Sequence, residues 1–169
     1  MRKNAPNQPA ARGVTLIECA GASIILGLLI TAGLRAAAGA GASQAMSTRA
    51  LTGSLLAEGL AQEILSLAYV DPSGGTTIGP DAGESAADKA TFDDVDDFEN
   101  WSESPPKAPG GAAIAGMTRW TRSVRVYRAL ASMPESNSAS ESGLKRIEIT
   151  VSYSGKFVCR IAALRAADP

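Results

Sequence analysis

One carboxylate, Glu18, interrupts the most apolar stretch of this 169-residue chain, and its placement demands a chemical answer more than any other residue's does. From Val14 to Leu34 no other charged side chain occurs. An acid within a membrane helix costs roughly 2.5 to 3.5 kcal/mol on insertion scales unless it is paired, hydrogen-bonded or protonated. Thr15 supplies one answer. Thr15 to Glu18 has the Ser/Thr-x-x-Glu spacing of a capping box, in which hydroxyl and carboxylate satisfy the free amide donors at a helix start.

A second group of acids follows much later, in Phe92-Asp93-Asp94-Val95-Asp96-Asp97-Phe98-Glu99-Asn100-Trp101, where aspartates are interleaved with apolar anchors that could dock on a core. Asp93, Asp94, Asp96 and Asp97 are the candidate oxygen ligands for calcium. The calcium-loop pattern needs glycine and a distant glutamate at fixed positions, and both are missing here. A solvated acidic turn is therefore the leading expectation, and no metal or cofactor is expected.

Arg119, Arg122, Arg125 and Arg128 are the one basic cluster outside the first thirteen residues. On a strand they alternate faces, so they make no single stripe for a phosphate backbone. Surface ion pairing with the acidic loop is expected instead, and nucleic acid is not an expected partner. The chain has no histidine, which removes the commonest near-neutral general base and transition-metal ligand. No nucleophile, base and orienting partner stand in a recognisable motif, so a catalyst is not expected. Cys19 lies in the apolar run and Cys159 near the C-terminus, and both are expected to be unpaired thiols.

The elements that must position these residues begin with that apolar run. Its 21 residues are long enough, at about 1.5 Å per residue, to cross a hydrocarbon layer of about 30 Å. Arg2, Lys3 and Arg12 precede it, which favours a cytoplasmic N-terminus with the remainder outside. Gly21, Gly27, Gly33, Gly39 and Gly41 weaken helix propensity and permit close helix approach in lipid.

Arg12-Gly13-Val14-Thr15-Leu16-Ile17-Glu18 resembles the processing site of type IV prepilins and type II secretion pseudopilins. The resemblance covers about Arg12 to Leu34. It implies cleavage after Gly13 by a membrane prepilin peptidase, methylation of the new terminal amine on Val14, and a leader of residues 1–13. It also implies that Glu18 neutralises the terminal amine of a neighbouring subunit during filament assembly. The sequence departs from the family in having Val14 where phenylalanine is usual, and the small run Cys19-Ala20-Gly21-Ala22 where bulkier aliphatics are commoner.

Beyond Leu34 the apolar pattern becomes one-sided. Leu51, Leu55, Leu60, Ile64 and Leu67 recur at three to five residues, with Glu58, Gln62 and Glu63 between them, which predicts an amphipathic helix. No proline falls between Pro9 and Pro72, so one helix could run from about Val14 to about Tyr69. Residues 71–116 are rich in Gly, Pro, Ser, Ala and Asp and read as a long connecting region with short ordered pieces.

Strands are expected over Trp120–Tyr127, Ile147–Tyr153 and Phe157–Leu164. Ile147, Ile149, Val151 and Tyr153 alternate with Glu148, Thr150 and Ser152, giving one core face and one polar face. A two-residue turn at Ser154-Gly155 would set Val151 opposite Val158. A three-residue loop ending at Lys156 would align Phe157, Cys159 and Ile161 with Tyr153, Val151 and Ile149, and burial favours the longer loop.

The expected fold is α+β and pilin-like: a long N-terminal helix over 14–70, with 14–34 transmembrane and 43–70 amphipathic, an acidic loop over 71–116, and an antiparallel sheet over 117–169. The resemblance implies a minor pilin or pseudopilin in the inner membrane and then in an extracytoplasmic filament. Its implied partners are the prepilin peptidase and methyltransferase, other pilin subunits, the assembly platform and membrane lipid. Two other readings stay open. Small residues at Ala36-Ala37-Ala38 and Ala40-Gly41-Ala42 would suit signal-peptide cleavage and a secreted binding domain, and an uncut chain would be a non-polymerising membrane tether.

Overall fold

The computed structural model describes residues 13–75, 77–81 and 83–168. The first twelve residues of the expected leader, with Arg2, Lys3 and Arg12, lie outside the described residues. The chain divides into two compact units, residues 1–45 and 46–169.

Helix α1, Leu16–Leu65, is the long element that the absence of proline allows. In the first unit its side chains are almost all exposed, including Ile24, Ile25, Leu28, Leu29 and Leu34. This segment is long and apolar enough to cross a membrane. Two hydroxyls within it bond back to their own helix, Ser23 to the Cys19 carbonyl at 2.9 Å and Thr31 to the Gly27 carbonyl at 2.8 Å, which satisfies those donors without water.

In the second unit, α1 buries Gly53, Leu56, Ala57, Leu60, Ala61 and Ile64. These residues recur at three and four, so they share one stripe. Leu51 and Leu55, expected on that stripe, are instead 64% and 61% exposed. Five residues separate Leu55 from Leu60, and at about 100° per residue that step carries Leu55 some 140° around the helix. The buried line is continued by Ala57, Leu56 and Gly53, two of them too small to register as a core pattern. The helix ends at Leu65, earlier than expected, where Ser66 and Leu67 donate to the carbonyls of Glu63 and Ile64 at 3.2 and 3.1 Å and tighten the last turn.

The stripe packs on an antiparallel sheet in the order β1–β2–β4–β5, with β3 paired to β2; the strands are β1 Ser102–Glu103, β2 Trp120–Leu130, β3 Met133–Asn137, β4 Leu144–Tyr153 and β5 Lys156–Ala166. The three expected strands are present, extended at their ends and joined by β1 and β3. Ile147, Ile149 and Val151 of β4 face inward as the alternation required, opposite Val126, Val124 and Arg122 of β2. The result is an α+β fold, one long N-terminal helix packed against a small antiparallel sheet.

The β4–β5 turn has two residues, not three. Ser154 and Gly155 both take positive φ, 49° and 75°, and Tyr153 pairs with Lys156. Paired left-handed residues twist a hairpin in the sense its strands already follow, which makes this turn the favoured short one. A bulge then inserts Val158, so that Val151 still meets Cys159 and Ile149 still meets Ile161. The expected pairs from Cys159 onward are therefore present. Phe157 does not align with Tyr153; it lies on the solvent side of the bulge, 65% exposed.

The loop before β2 contributes to the core. Phe92, Val95, Phe98 and Trp101 are buried, and the three aromatic rings meet edge to face with centroids 4.9, 5.3 and 6.4 Å apart. Residues 71–116 are thus only partly a connection. The loop is pinned to the helix end by an Ala68–Asp94 bridge, with Val95 donating to the Ala68 carbonyl at 3.1 Å.

Gly53 is where the helix and the bulge meet most closely. A Cβ there would stand 2.7 Å from Val158 Cγ1 and 3.3 Å from Cys159 Sγ, whereas Gly59 has open space. Gly53→Leu should therefore destabilise the second unit by about 1–3 kcal/mol through overpacking. Gly59→Ala should stabilise it by about 0.8–1 kcal/mol through helix propensity. Guanidinium unfolding of the full chain in detergent, followed through the buried Trp101 and Trp120, measures both.

Candidate functional site

Glu18 stands in the first turn of α1, and the capping box forms. Its Oε2 accepts from the Thr15 backbone amide at 2.7 Å and from the Thr15 hydroxyl at 2.9 Å, while the Glu18 amide donates back to Thr15 Oγ1 at 3.3 Å. Gly13 and Val14 lie just before the helix, exposed. Glu18 is exposed as well. Cys19 is exposed and Cys159 half-buried, both free thiols.

The second candidate, the acidic loop, is not the solvated turn that its composition suggests. Asp94, Asp96 and Asp97 are buried and only Asp93 of the four is exposed. The reason lies in loop geometry, because the carboxylates serve as internal acceptors. Asp94 Oδ1 accepts from the amides of Asp96 and Asp97 at 2.5 and 3.3 Å, and Asp97 Oδ2 accepts from those of Asp93 and Asp94, both at 3.0 Å. Asp96 reaches across to Lys145 on β4 at 2.8 Å.

Of the four aspartates, two take part in a cluster that could hold a cation. Oxygens of Glu84, Asp93 and Asp97 lie within 4.8 Å of one another, beside a cleft of about 360 Å³ that Asp71 and Asp81 also line. Hard cations such as calcium take oxygen donors of this kind. Asp94 and Asp96 belong to other interactions. Glu84, Asp71 and Asp81 were missed from sequence because they lie upstream at no motif spacing. Asp71 accepts from the amides of Ser73 and Gly75 at 2.6 and 2.8 Å, and those bonds hold its carboxyl below the usual range.

The basic residues close the same structure from the other side. Arg122 is buried, contrary to the surface role expected of it. Its guanidinium pairs with Glu103 of β1, with Nε at 2.8 Å, and donates to the Leu56 and Lys107 carbonyls at 3.3 and 2.7 Å. Lys89 pairs with Glu63 on α1 at 2.7 Å and donates to the Lys107 carbonyl at 3.1 Å. Arg125 meets Glu99 at 3.3 Å, Arg128 meets Glu141 at 3.6 Å, and Arg119 lies over the Tyr153 ring with its Nε 2.8 Å from Ser154 Oγ. The four arginines thus have separate partners and do not form one patch. Arg122 falls inward because Trp120, Val124 and Val126 on the same face form the core, and only a buried acceptor set makes that position tolerable.

Burial pushes Asp97 up to about 7 and Asp94 up to about 6. Between about pH 4, where an unfolded aspartate titrates, and pH 7, the folded chain therefore holds protons that the unfolded chain has released. Stability falls as pH rises through that window. The thermal midpoint of the second unit should thus be higher at pH 5 than at pH 7.5, and Asp97→Asn should flatten the difference. The chain has no histidine, whose ordinary titration would fall in the same window. Below about pH 4 the lowered Asp71 reverses it, since its stabilising charge is then lost. Differential scanning of the full chain across this range checks both limbs.

Comparison with models of known protein families, with curated proteins and with solved structures returned no match for this chain. Its architecture, a long N-terminal helix on a small antiparallel sheet, is pilin-like, and that likeness rests on the arrangement of elements alone.

Proposed function

We propose that this chain is a minor pilin or pseudopilin subunit, cut after Gly13 by a prepilin peptidase, methylated on Val14 and assembled through Glu18 into a type IV pilus or a type II secretion pseudopilus. The observation that carries the reading is Glu18 in the first turn of a helix that is otherwise uncharged to Leu34 and apolar enough to span a membrane. A cap needs one carboxylate oxygen, and Thr15 takes Oε2. It does not need a full negative charge, because glutamine serves equally in a capping box. A charge retained where lipid penalises it suits a partner that brings the opposite sign, and the new α-amine of a neighbouring copy is such a partner.

In this reading the work of the protein is assembly. The N-terminus starts in the cytoplasm, the first unit of α1 crosses the inner membrane, and the outer unit lies beyond it. Prepilin peptidase and methyltransferase, further pilin subunits and an assembly platform are the partners. The exposed Leu51 and Leu55 give the outer helix an apolar face turned away from its own sheet.

Glu18→Gln separates the two roles of this carboxylate. It should keep cleavage after Gly13 and the bonds to Thr15, yet lower filament incorporation at least tenfold, since a coupling of about 1.4 kcal/mol already gives that factor. N-terminal mass analysis reads the cut, and the sheared filament fraction reads incorporation. Wild-type incorporation of Glu18→Gln would sink the charge-pairing idea. The mature wild-type chain should begin at a methylated Val14; a start near Gly39 or Ser43 would mean signal-peptide cleavage, and an intact Met1 or Arg2 a tether.

A further inference from the structure

Among the described residues Lys145 is the one lysine with no exposure at all, and its side chain points into the core from β4 rather than to solvent. Its Nζ stands 2.8 Å from Asp96 Oδ2, donates to the Tyr69 carbonyl, and lies 4.2 Å from the centre of the Tyr69 ring. Asp96 is 6% exposed, and Tyr69, Val95, Phe98 and Ile147 are buried around the pair. The Tyr69 hydroxyl donates to Glu141, a second acid whose charge is felt by Asp96 and which itself feels Lys145.

Two features set this pair apart from an ordinary ion pair. Water is excluded, so both charges carry a desolvation penalty that their mutual attraction repays only when every remaining polar atom is bonded. That condition fails here, because Asp96 Oδ1 has no hydrogen-bond partner among the described residues. An amide would remove both charges and retain one carboxyl oxygen instead of two. The oxygen such a reaction would discard is Oδ2, which lies 2.8 Å from Nζ and can take its proton.

We infer that Lys145 and Asp96 are the site of an intramolecular isopeptide bond that staples the acidic loop to β4. A proton passes from the Lys145 ammonium to the Asp96 carboxylate, giving a neutral amine and a neutral acid, the forms that burial favours. The Nζ lone pair attacks Cγ of Asp96, the C–N bond forms, and the carbonyl π pair moves onto oxygen. Nitrogen then passes a proton across the tetrahedral centre to the departing hydroxyl. The C–O bond breaks, the carbonyl re-forms and one water leaves. Nothing is oxidised or reduced, and no co-reactant is needed. Fixed proximity in a dry site supplies the driving geometry, as in intramolecular reactions whose effective molarities reach about 10⁵ M or more.

The bond would close a covalent loop from the end of the acidic segment to β4, independently of whether the chain forms filaments. Intact mass of the folded wild-type chain, measured after denaturation, should be about 18 Da, one water, below the sequence mass calculated for the N-terminus it carries, whether cut and methylated or intact. Trypsin should leave Lys145 uncut and yield peptide 90–107 joined to peptide 129–146. Lys145→Met should restore the sequence mass. Asp96→Asn should lose ammonia, about 17 Da, in place of water. A wild-type chain at its full sequence mass overturns the proposal. So does a chain lighter by one water with no joined peptide, since a succinimide at an aspartate then accounts for the loss.

Discussion

The structure depends on one packing constraint: the outer part of α1 must lay a narrow stripe of Gly53, Leu56, Ala57, Leu60, Ala61 and Ile64 across a sheet whose inward side chains alternate from Trp120 to Ile161. Alanine and glycine let the helix approach closely, and Gly53 against Val158 is the tightest point of that approach. The β4–β5 bulge belongs to the same fit, since it moves Val158 under the helix and turns Phe157 out. A helix with larger residues on that stripe would stand away from the sheet and leave Ile147 and Ile149 uncovered.

Around this contact the molecule is closed by charges held inside it. Lys89 joins the loop to Glu63 on the helix, Arg122 joins β2 to Glu103 on β1, and Lys145 joins β4 to Asp96. Each cation crosses between elements and also donates to a backbone carbonyl: Lys89 to Lys107, Arg122 to Leu56 and Lys107, and Lys145 to Tyr69. Buried pairs are weak contributors to net stability when compared with apolar replacements, but breaking one partner is costly, so they hold a particular loop path. The acidic run is therefore part of the architecture, with Phe92, Phe98 and Trp101 as its apolar half.

The first unit follows a different rule. Its helix has no core to bury, and its exposed aliphatics match a lipid solvent, with serine and threonine hydroxyls bonded to the backbone of their own helix. Glu18 is the exception that gives the segment a chemical direction. Its bonds to Thr15 define where the helix begins and leave the charge at the end of the span. An apolar helix with one acid at its start is the arrangement on which the proposed assembly role rests.

The sequence by itself determined the features that depend on neighbours along the chain. Thr15 and Glu18 are three apart and cap the helix, the absence of proline lets α1 run on, and the two-residue alternation from Ile147 to Val151 predicts which side of β4 is buried. Periodicity failed where small residues carried the buried stripe, so Leu51 and Leu55 drew attention away from Gly53, Ala57 and Ala61. Only the tertiary structure decided the fate of the charges. Asp96 and Arg122 look like surface residues in a polar run and are buried because Lys145 and Glu103 arrive from other strands. The physical reason is that helix and strand periods follow from local backbone geometry, whereas the cost of burying a charge is set by partners far along the chain, which only folding brings within bonding distance.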